Sequence, residues 1–186
     1  MEERLEDSLR EAVEFLEANG FRYAVIGGIA LSQWGVIRAT RDIDIKVFVP
    51  NADYESVRNS LSSAFPIPVH PRAPTNPLII QTTINKVAID FLLALPGYEE
   101  LIIERASRRD LDGWSAWVCS AEDLIIQKAV AGRGKDWSDV EALLIEQRGK
   151  LDNQYIKDWL LQFAQVLDNP GIFDQYRRLA ERVRKI

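Results

Sequence analysis

One stretch of the chain, residues 23–48, constrains the fold more than any other. It opens with a short apolar run that leads into Gly27-Gly28, and it closes with apolar and polar residues in alternation from Asp42 onward. Alternation with a period of two is typical of a strand with one face in the core, because successive side chains point to opposite faces. The stretch therefore predicts two strands separated by a glycine pair, a short helix and a loop.

The two aspartates at the start of the second strand, Asp42 and Asp44, are two residues apart and so share one face. Their separation along the strand is roughly 6.5–7 Å. Two carboxylates and a glycine pair that leaves the backbone accessible suit a phosphate chain neutralised by a carboxylate-bound divalent ion. Two alternatives stay open from these residues alone: Gly27-Gly28 as a tight turn, and Asp44 with Lys46 as a surface ion pair.

The spacing of apolar residues predicts the other elements. Helices are expected at 2–19, 29–34, 51–65 with Asn51 as N-cap, 96–105, 120–131 with a capping box at Ser120 and Asp123, 135–147, 152–167 and 172–184. Strands are expected at 21–26, 43–49, 78–83, 87–93 and 114–119, with a hairpin turn at 84–86 and a connecting loop at 66–77. The order predicts an α+β or α/β sheet domain, residues 1–119, followed by a helical domain, residues 120–186.

Composition excludes several classes of function. The net charge of −5 argues against a domain covered with basic residues for non-specific nucleic-acid binding, although a local basic cleft is compatible with it. The single cysteine, Cys119, leaves no internal disulfide and no thiolate zinc cluster. The N-terminal residues lack the apolar segment of a signal peptide, and no apolar run approaches the roughly 18 residues of a membrane span. We therefore expect a cytoplasmic protein without a membrane partner.

A third carboxylate, Asp90, lies within the apolar run 87–93, where it needs a partner or a metal because burying an unpaired charge is costly. If its strand lies near the Asp42 strand, the three carboxylates converge, and each pair of charges at ~4 Å costs about 4 kcal/mol at an effective dielectric near 20. Mg²⁺ (or Mn²⁺) is the natural counter-ion, since Mg²⁺ shares its oxygen ligands with substrate phosphates. Such ions activate an attacking hydroxyl, and Asp90 is also a candidate general base.

The three features, in this order, resemble the nucleotidyltransferase superfamily typified by DNA polymerase β. The matching segments are Ile-Gly-Gly at 26–28, Asp-Ile-Asp-Ile at 42–45 and Ile-Asp-Phe at 89–91. Within that superfamily, Arg-Ala-Thr-Arg-Asp at 38–42 is similar to the R-x-T-x-D lead-in of the AbiEii-like nucleotidyltransferases, a group that includes type IV toxins. Residues 123–139 are similar to the downstream helical motif of that group.

The resemblance implies an α+β fold, with a mixed sheet flanked by helices and followed by a C-terminal helical region. It also implies that Gly27 and Gly28 contact the nucleotide phosphates. Asp42 and Asp44 would bind the metal, with Asp90 as the third ligand or the base.

In the helical motif, the resemblance implies that Lys128 meets the triphosphate and that Asp139 orients that region or the base. Arg38 would be a further phosphate contact. The alternatives are that Lys128 is a solvated helix residue and that Asp136 with Asp139 forms an ordinary polar helix face. Asp136 is also suited to cap its own helix, since aspartate is favoured in a first turn.

The expected function is a metal-dependent nucleotidyltransferase that moves a nucleoside monophosphate from an NTP to a hydroxyl acceptor. The expected acceptor is an RNA 3′ end or a protein side chain, and the AbiEii-like resemblance implies a toxin–antitoxin component with a cognate antitoxin. The alternatives are a small-molecule, antibiotic-type acceptor and a non-catalytic nucleotide-binding regulatory module. The C-terminal helix also concentrates basic residues, a pattern typical of a solvated helix face or of an RNA site; these are Arg177, Arg178, Arg182, Arg184 and Lys185.

Overall fold

The computed structural model describes residues 3–65 and 76–185. Within them, the strands are β1 Tyr23–Ile26, β2 Asp42–Val47, β3 Ile79–Ile84, β4 Val87–Leu93, β5 Ser107–Asp110 and β6 Ser115–Val118. The α-helices are α1 Glu3–Ala18, α2 Gly27–Gln33, α3 Tyr54–Ala64, α4 Tyr98–Glu104, α5 Ala121–Ala131, α6 Gly134–Glu146, α7 Asn153–Val166 and α8 Gly171–Val183. None of the helices in this part of the chain is long and apolar enough to span a membrane.

The six described strands form one mixed sheet in the order β3-β4-β2-β1-β6-β5. β2 pairs with β4 and β1 with β6 in parallel, and the other neighbours are antiparallel. The α+β class with a mixed sheet and flanking helices is therefore confirmed. The predicted hairpin is β3–β4, although its turn contains only Asn85 and Lys86.

Strand β2 lies in the interior of the sheet between β1 and β4. Ile43, Ile45 and Val47 are fully buried on one face, as the alternating sequence predicts. The apolar residues fix the register of β2, because a slip by one residue would exchange its two faces. The aspartates are thereby held on the opposite face.

The described chain divides into two compact units. The first contains residues 1–29 and 39–119, which include the sheet with α1, α3 and α4. The second contains residues 30–38 and 120–186, which include α5 to α8.

One local prediction is wrong, one alternative is excluded and one strand was not predicted, while most of the loop expected at 66–77 lies outside the described residues. Helix α3 is capped by Asp53, whose Oδ1 accepts from Ser56 N at 3.1 Å, while Asn51 lies in a 3₁₀ turn with φ of 54°. Lys46 is buried and forms its ion pair with Glu99 at 2.7 Å, so it is not the surface partner of Asp44. Strand β5 was not predicted, because its four residues, Ser-Arg-Arg-Asp, do not alternate between apolar and polar side chains.

The start of α5 contains a buried polar cluster. Ser120 is the N-cap and accepts from Asp123 N at 3.0 Å, as predicted, and its hydroxyl donates to Asp123 Oδ2 at 2.6 Å. The other carboxylate oxygen of Asp123 accepts from the Tyr155 hydroxyl of α7 at 2.8 Å. Since Asp123 is 0% exposed, these hydrogen bonds replace water around a buried carboxylate.

We predict that Tyr155→Phe lowers the free energy of unfolding by about 2 kcal/mol, because it removes a hydrogen bond from a buried carboxylate. Urea denaturation measures this loss. Tyr54→Phe is the matched control, since the Tyr54 hydroxyl donates to a neutral carbonyl, Ala94 O, at 3.2 Å. Tyr54→Phe should lower the free energy of unfolding by about 1 kcal/mol or less. Equal losses in the two variants would show that the hydrogen bond to the Asp123 carboxylate contributes no more to the free energy of unfolding than one to a neutral carbonyl.

Candidate active site

The pairing of β2 with β4 places the predicted carboxylates on one face of the sheet. Asp44 is the direct register partner of Asp90, and Asp42 lies two residues before Asp44 on the same strand. Their neighbours Ile43 and Ile89, also paired, are fully buried on the other face. Asp44 and Asp90 are half-buried and Asp42 is exposed, so the carboxylates face an accessible surface of the first unit.

Two side chains, Thr40 and Gln81, orient the outer carboxylates through hydrogen bonds. Thr40 Oγ1 donates to Asp42 Oδ1 at 2.9 Å. Gln81 lies opposite Asp90 on β3, and its Nε2 donates to both carboxylate oxygens at 3.1 and 3.2 Å. The sequence prediction missed both roles. Assuming a two-residue hairpin turn would have placed Gln81 opposite Asp90. Thr40 lies in the predicted lead-in segment, but nothing in the sequence indicates its hydrogen bond to Asp42.

Burial raises the pKa of Asp90 above its ordinary value of 3.8. The hydrogen bond from Gln81 lowers that pKa, and the charge of Asp42 raises it again. The net shift is upward, because burial and the Asp42 charge together outweigh the Gln81 hydrogen bond. This face of the sheet therefore favours a proton or a cation.

The donor set suits Mg²⁺ bound together with a phosphate-bearing ligand. Within residues 3–65 and 76–185, no group of three or more His, Cys, Asp or Glu side chains is placed to hold a metal ion by itself. Mg²⁺ is usually bound by one or two carboxylates plus substrate phosphates, and seldom by an all-protein cage. Asp42, Asp44 and Asp90 carry the hard oxygen atoms that such shared coordination would use, and their binding of a metal stays a prediction.

Both glycines of the pair are required by close packing. Gly27 begins α2 with φ of +67°, and a Cβ at this position would lie 2.1 Å from Asp44 Oδ2. A Cβ on Gly28 would lie 2.3 Å from Thr40 Oγ1. The glycines therefore make room for the Asp44 and Thr40 side chains, and their contact with phosphate stays a prediction.

The other predicted residues, Arg38, Lys128 and Asp139, meet in the second unit. Asp139 Oδ2 accepts from Arg38 Nη1 at 2.6 Å and lies 2.9 Å from Lys128 Nζ. Asp139 is 5% exposed, and the Lys128 side chain is 12% exposed. Lys128 is therefore a nearly buried ammonium with fixed partners, and it is not a solvated helix residue.

Asp136 extends this cluster and caps α6. Its Oδ1 lies 3.4 Å from Lys128 Nζ, and its Oδ2 accepts from Arg133 Nε at 2.5 Å and from Arg133 N at 3.3 Å. Burial raises the pKa of Asp136, but the Arg133 hydrogen bond and the Lys128 charge together bring it below its ordinary value. Asp136 is thus an anion held between two cations at the start of a helix.

Comparison with known proteins now identifies the family. A family model described as "Nucleotidyl transferase of unknown function (DUF2204)" matches residues 5–169. The chain belongs to this nucleotidyl transferase family. The nucleotidyl transferase is therefore an enzyme of the transferase class. No curated protein sequence matches it.

Solved structures share the fold of this nucleotidyl transferase. The antigenic nucleotidyltransferase-like protein of Paracoccidioides brasiliensis is 17% identical, with a TM-score of 0.54 over 92% of this chain and 93% of that one. The lincosamide antibiotic adenylyltransferase LnuA, lincomycin-bound, is 17% identical, with a TM-score of 0.54 over 74% and 95%. ANT(2″)-Ia, in complex with adenylyl-2″-tobramycin, is 14% identical, with a TM-score of 0.54 over 86% and 96%.

We predict that Gly27→Ala lowers nucleotidyl transfer at least about tenfold, because the added Cβ displaces the Asp44 carboxylate. The left-handed backbone of this position also costs an alanine about 1–2 kcal/mol of stability. Gly20→Ala is the matched control, since Gly20 has φ of +71° and no atom within 4 Å of an added Cβ. Both variants should lose stability in urea denaturation because of the left-handed backbone, and Gly27→Ala should lose more because its Cβ also displaces the Asp44 side chain. Equal losses of activity would contradict the role of the Gly27–Asp44 contact.

We predict that Asp90→Asn is more stable than the wild type at neutral pH in metal-free buffer. Because the pKa of Asp90 is raised in the folded state, the folded protein binds this proton more tightly than the unfolded chain does. Wild-type stability therefore falls as the pH rises from the ordinary value of 3.8 through the raised pKa, and asparagine removes that fall. Urea midpoints from acidic to neutral pH test this, and a variant less stable than wild type at neutral pH would refute it.

Proposed function

We propose that this nucleotidyl transferase moves a nucleoside monophosphate from an NTP to a hydroxyl acceptor in a divalent-metal-dependent reaction. The observation that carries the proposal is the direct pairing of Asp44 with Asp90 on adjacent parallel strands, with Asp42 on the same face. Three carboxylates brought together on an accessible surface are costly without a cation. A structural role alone gives no reason to retain them there.

Mg²⁺, or Mn²⁺, held by Asp42 and Asp44 with the substrate phosphates, would neutralise the triphosphate and polarise its α-phosphorus. Asp90 would accept the proton of the acceptor hydroxyl on a carboxylate oxygen, and its raised pKa suits this role. The acceptor oxygen then bonds to the α-phosphorus, the bond to the β-phosphate oxygen breaks, and pyrophosphate leaves. Gln81, which donates to both oxygens of Asp90, would orient that carboxylate toward the hydroxyl.

Nucleotide binding would use Gly27, Gly28, Arg38, Lys128 and Asp139. The Arg38 guanidinium presents several donors in a planar fork, a geometry that suits phosphate oxygens. Lys128 is a compact point charge whose position Asp139 and Asp136 fix. Fixing these cations in advance lowers the side-chain entropy lost when phosphate binds.

For the acceptor we propose an RNA 3′ end or a protein side chain, in an AbiEii-like enzyme of the toxin–antitoxin type with a cognate antitoxin. The lead-in segment 38–42 and the helical motif 123–139 support this assignment. A small-molecule acceptor is the second candidate, since LnuA and ANT(2″)-Ia, both antibiotic-modifying by their descriptions, share the fold. The presence of all three carboxylates disfavours a non-catalytic regulatory module.

The decisive experiment follows the α-phosphate. Each NTP, labelled at the α-phosphate, is incubated with Mg²⁺, the enzyme and separated fractions of cellular RNA, protein and small molecules, including lincosamides and aminoglycosides. We predict transfer of label to RNA or protein, and a loss of at least about a hundredfold in Asp42→Ala/Asp44→Ala, because several kcal/mol of metal-based stabilisation disappear. Asp158→Ala is the control for removal of an exposed carboxylate. Label transfer that survives the double substitution would refute the proposal.

A further inference from the structure

The second unit contains a cavity that neither the family match nor the predicted site residues account for. Its volume is about 360 Å³, and residues of α7 and of α8 line it. A smaller cavity of about 70 Å³ shares Asn153, Ala180 and Arg184 with it. We call the two together the α7–α8 groove. Its volume falls in the range of natural ligand pockets, roughly 300–1,000 Å³.

The charged residues that line the α7–α8 groove are mostly cations. They are Arg148, Lys157, Arg177, Arg184 and a single anion, Glu181. Arg177 contacts Asp174 at 3.4 Å, whereas within residues 3–65 and 76–185 no carboxylate lies within ion-pair distance of the other three cations. The chain as a whole carries −5, so this excess of positive charge is local. A cleft lined with unpaired cations concentrates anionic ligands.

Two aromatic residues distinguish the groove from an ordinary basic helix face. Phe173 lies half-buried in the lining, and Tyr176 is 5% exposed. Burial raises the pKa of Tyr176 to about 12, with the nearby Arg184 opposing the shift. Aromatic faces beside cations are the usual means of holding unpaired nucleotides, because bases stack while phosphates meet positive charge.

We propose that the α7–α8 groove binds a single-stranded segment of an RNA acceptor, with phosphates at Lys157 and Arg184 and a base against Phe173. That this RNA is the acceptor rests on the proposed function, whereas RNA binding by the groove does not. An acidic protein surface would satisfy the cations but would leave the aromatic lining without a role. A polycationic small molecule would be repelled by the groove.

The test measures the affinity of a fluorescent single-stranded RNA oligonucleotide by anisotropy over a range of salt concentrations. Each phosphate contact on a single strand contributes about 0.7 to the slope of log affinity against log salt. Lys157→Ala/Arg184→Ala should therefore reduce the slope by about 1.4 and the affinity about tenfold at low salt. Phe173→Leu should weaken binding severalfold with the slope unchanged, because it removes stacking and keeps every cation.

Arg178→Ala/Lys185→Ala is the matched control, since it removes two exposed cations of the same C-terminal segment that do not line the groove. The control pair should change affinity by less than about twofold. Equal losses in the two pairs would overturn the proposal in favour of general electrostatic attraction. Displacement of the labelled RNA by an acidic peptide at a lower concentration than unlabelled RNA requires would overturn the proposal in favour of a protein-binding surface.

Catalysis and groove binding are separated by a second measurement. Asp42→Ala/Asp44→Ala should bind the RNA oligonucleotide as the wild type does while transferring no nucleotide to it. The Lys157→Ala/Arg184→Ala protein should transfer less label to RNA than the wild type does. Its binding and hydrolysis of free NTP should equal those of the wild type. RNA binding through the groove without transfer to any acceptor would contradict the proposed function and support the groove.

Discussion

The parallel pairing of β2 with β4 is the constraint on which the candidate site depends, because it sets Asp44 directly beside Asp90. Like charges repel, but the other faces of the same strands bury Ile43, Ile45, Ile89 and Phe91 completely. Burial of each such side chain is worth about 1.5–3 kcal/mol, whereas one charge pair at ~4 Å costs about 4 kcal/mol at an effective dielectric near 20. The apolar core therefore maintains a register that the repulsion between the carboxylates alone would oppose.

The residues around the carboxylates serve packing and chemistry at once. Gly27 and Gly28 leave space that the Asp44 and Thr40 side chains approach, so a glycine pair that suggests a phosphate contact is required for packing as well. In the second unit, Asp139 holds two cations with one carboxylate oxygen. In both places polar groups are fixed before any substrate binds, which lowers the cost of organising a reacting complex.

The sequence was sufficient for the α-helices and for every described strand except β5, because these elements follow local periodicity. A short motif was enough to single out the three carboxylates as candidates, and their role as a site stays a prediction. Contacts that depend on register or on distant pairing were harder. Placing the hairpin turn at 84–86 puts Ile80 opposite Asp90, whereas the two-residue turn, with φ of 50° at Asn85 and 68° at Lys86, puts Gln81 there. The Arg38–Asp139 contact spans 101 residues, and nothing in either segment indicates the partner.

Asp44 and its neighbours are proposed to bind a nucleotide together with a divalent ion. The most direct test is calorimetric titration of each NTP with and without Mg²⁺, in wild type and in Asp44→Asn, a substitution that keeps the side-chain shape beside Gly27. The account predicts that Mg²⁺ strengthens NTP binding to the wild type, and that the asparagine variant loses this strengthening because a neutral amide is a poor Mg²⁺ ligand. Mg²⁺-independent binding in the wild type, or an unchanged Mg²⁺ effect in the variant, would contradict it.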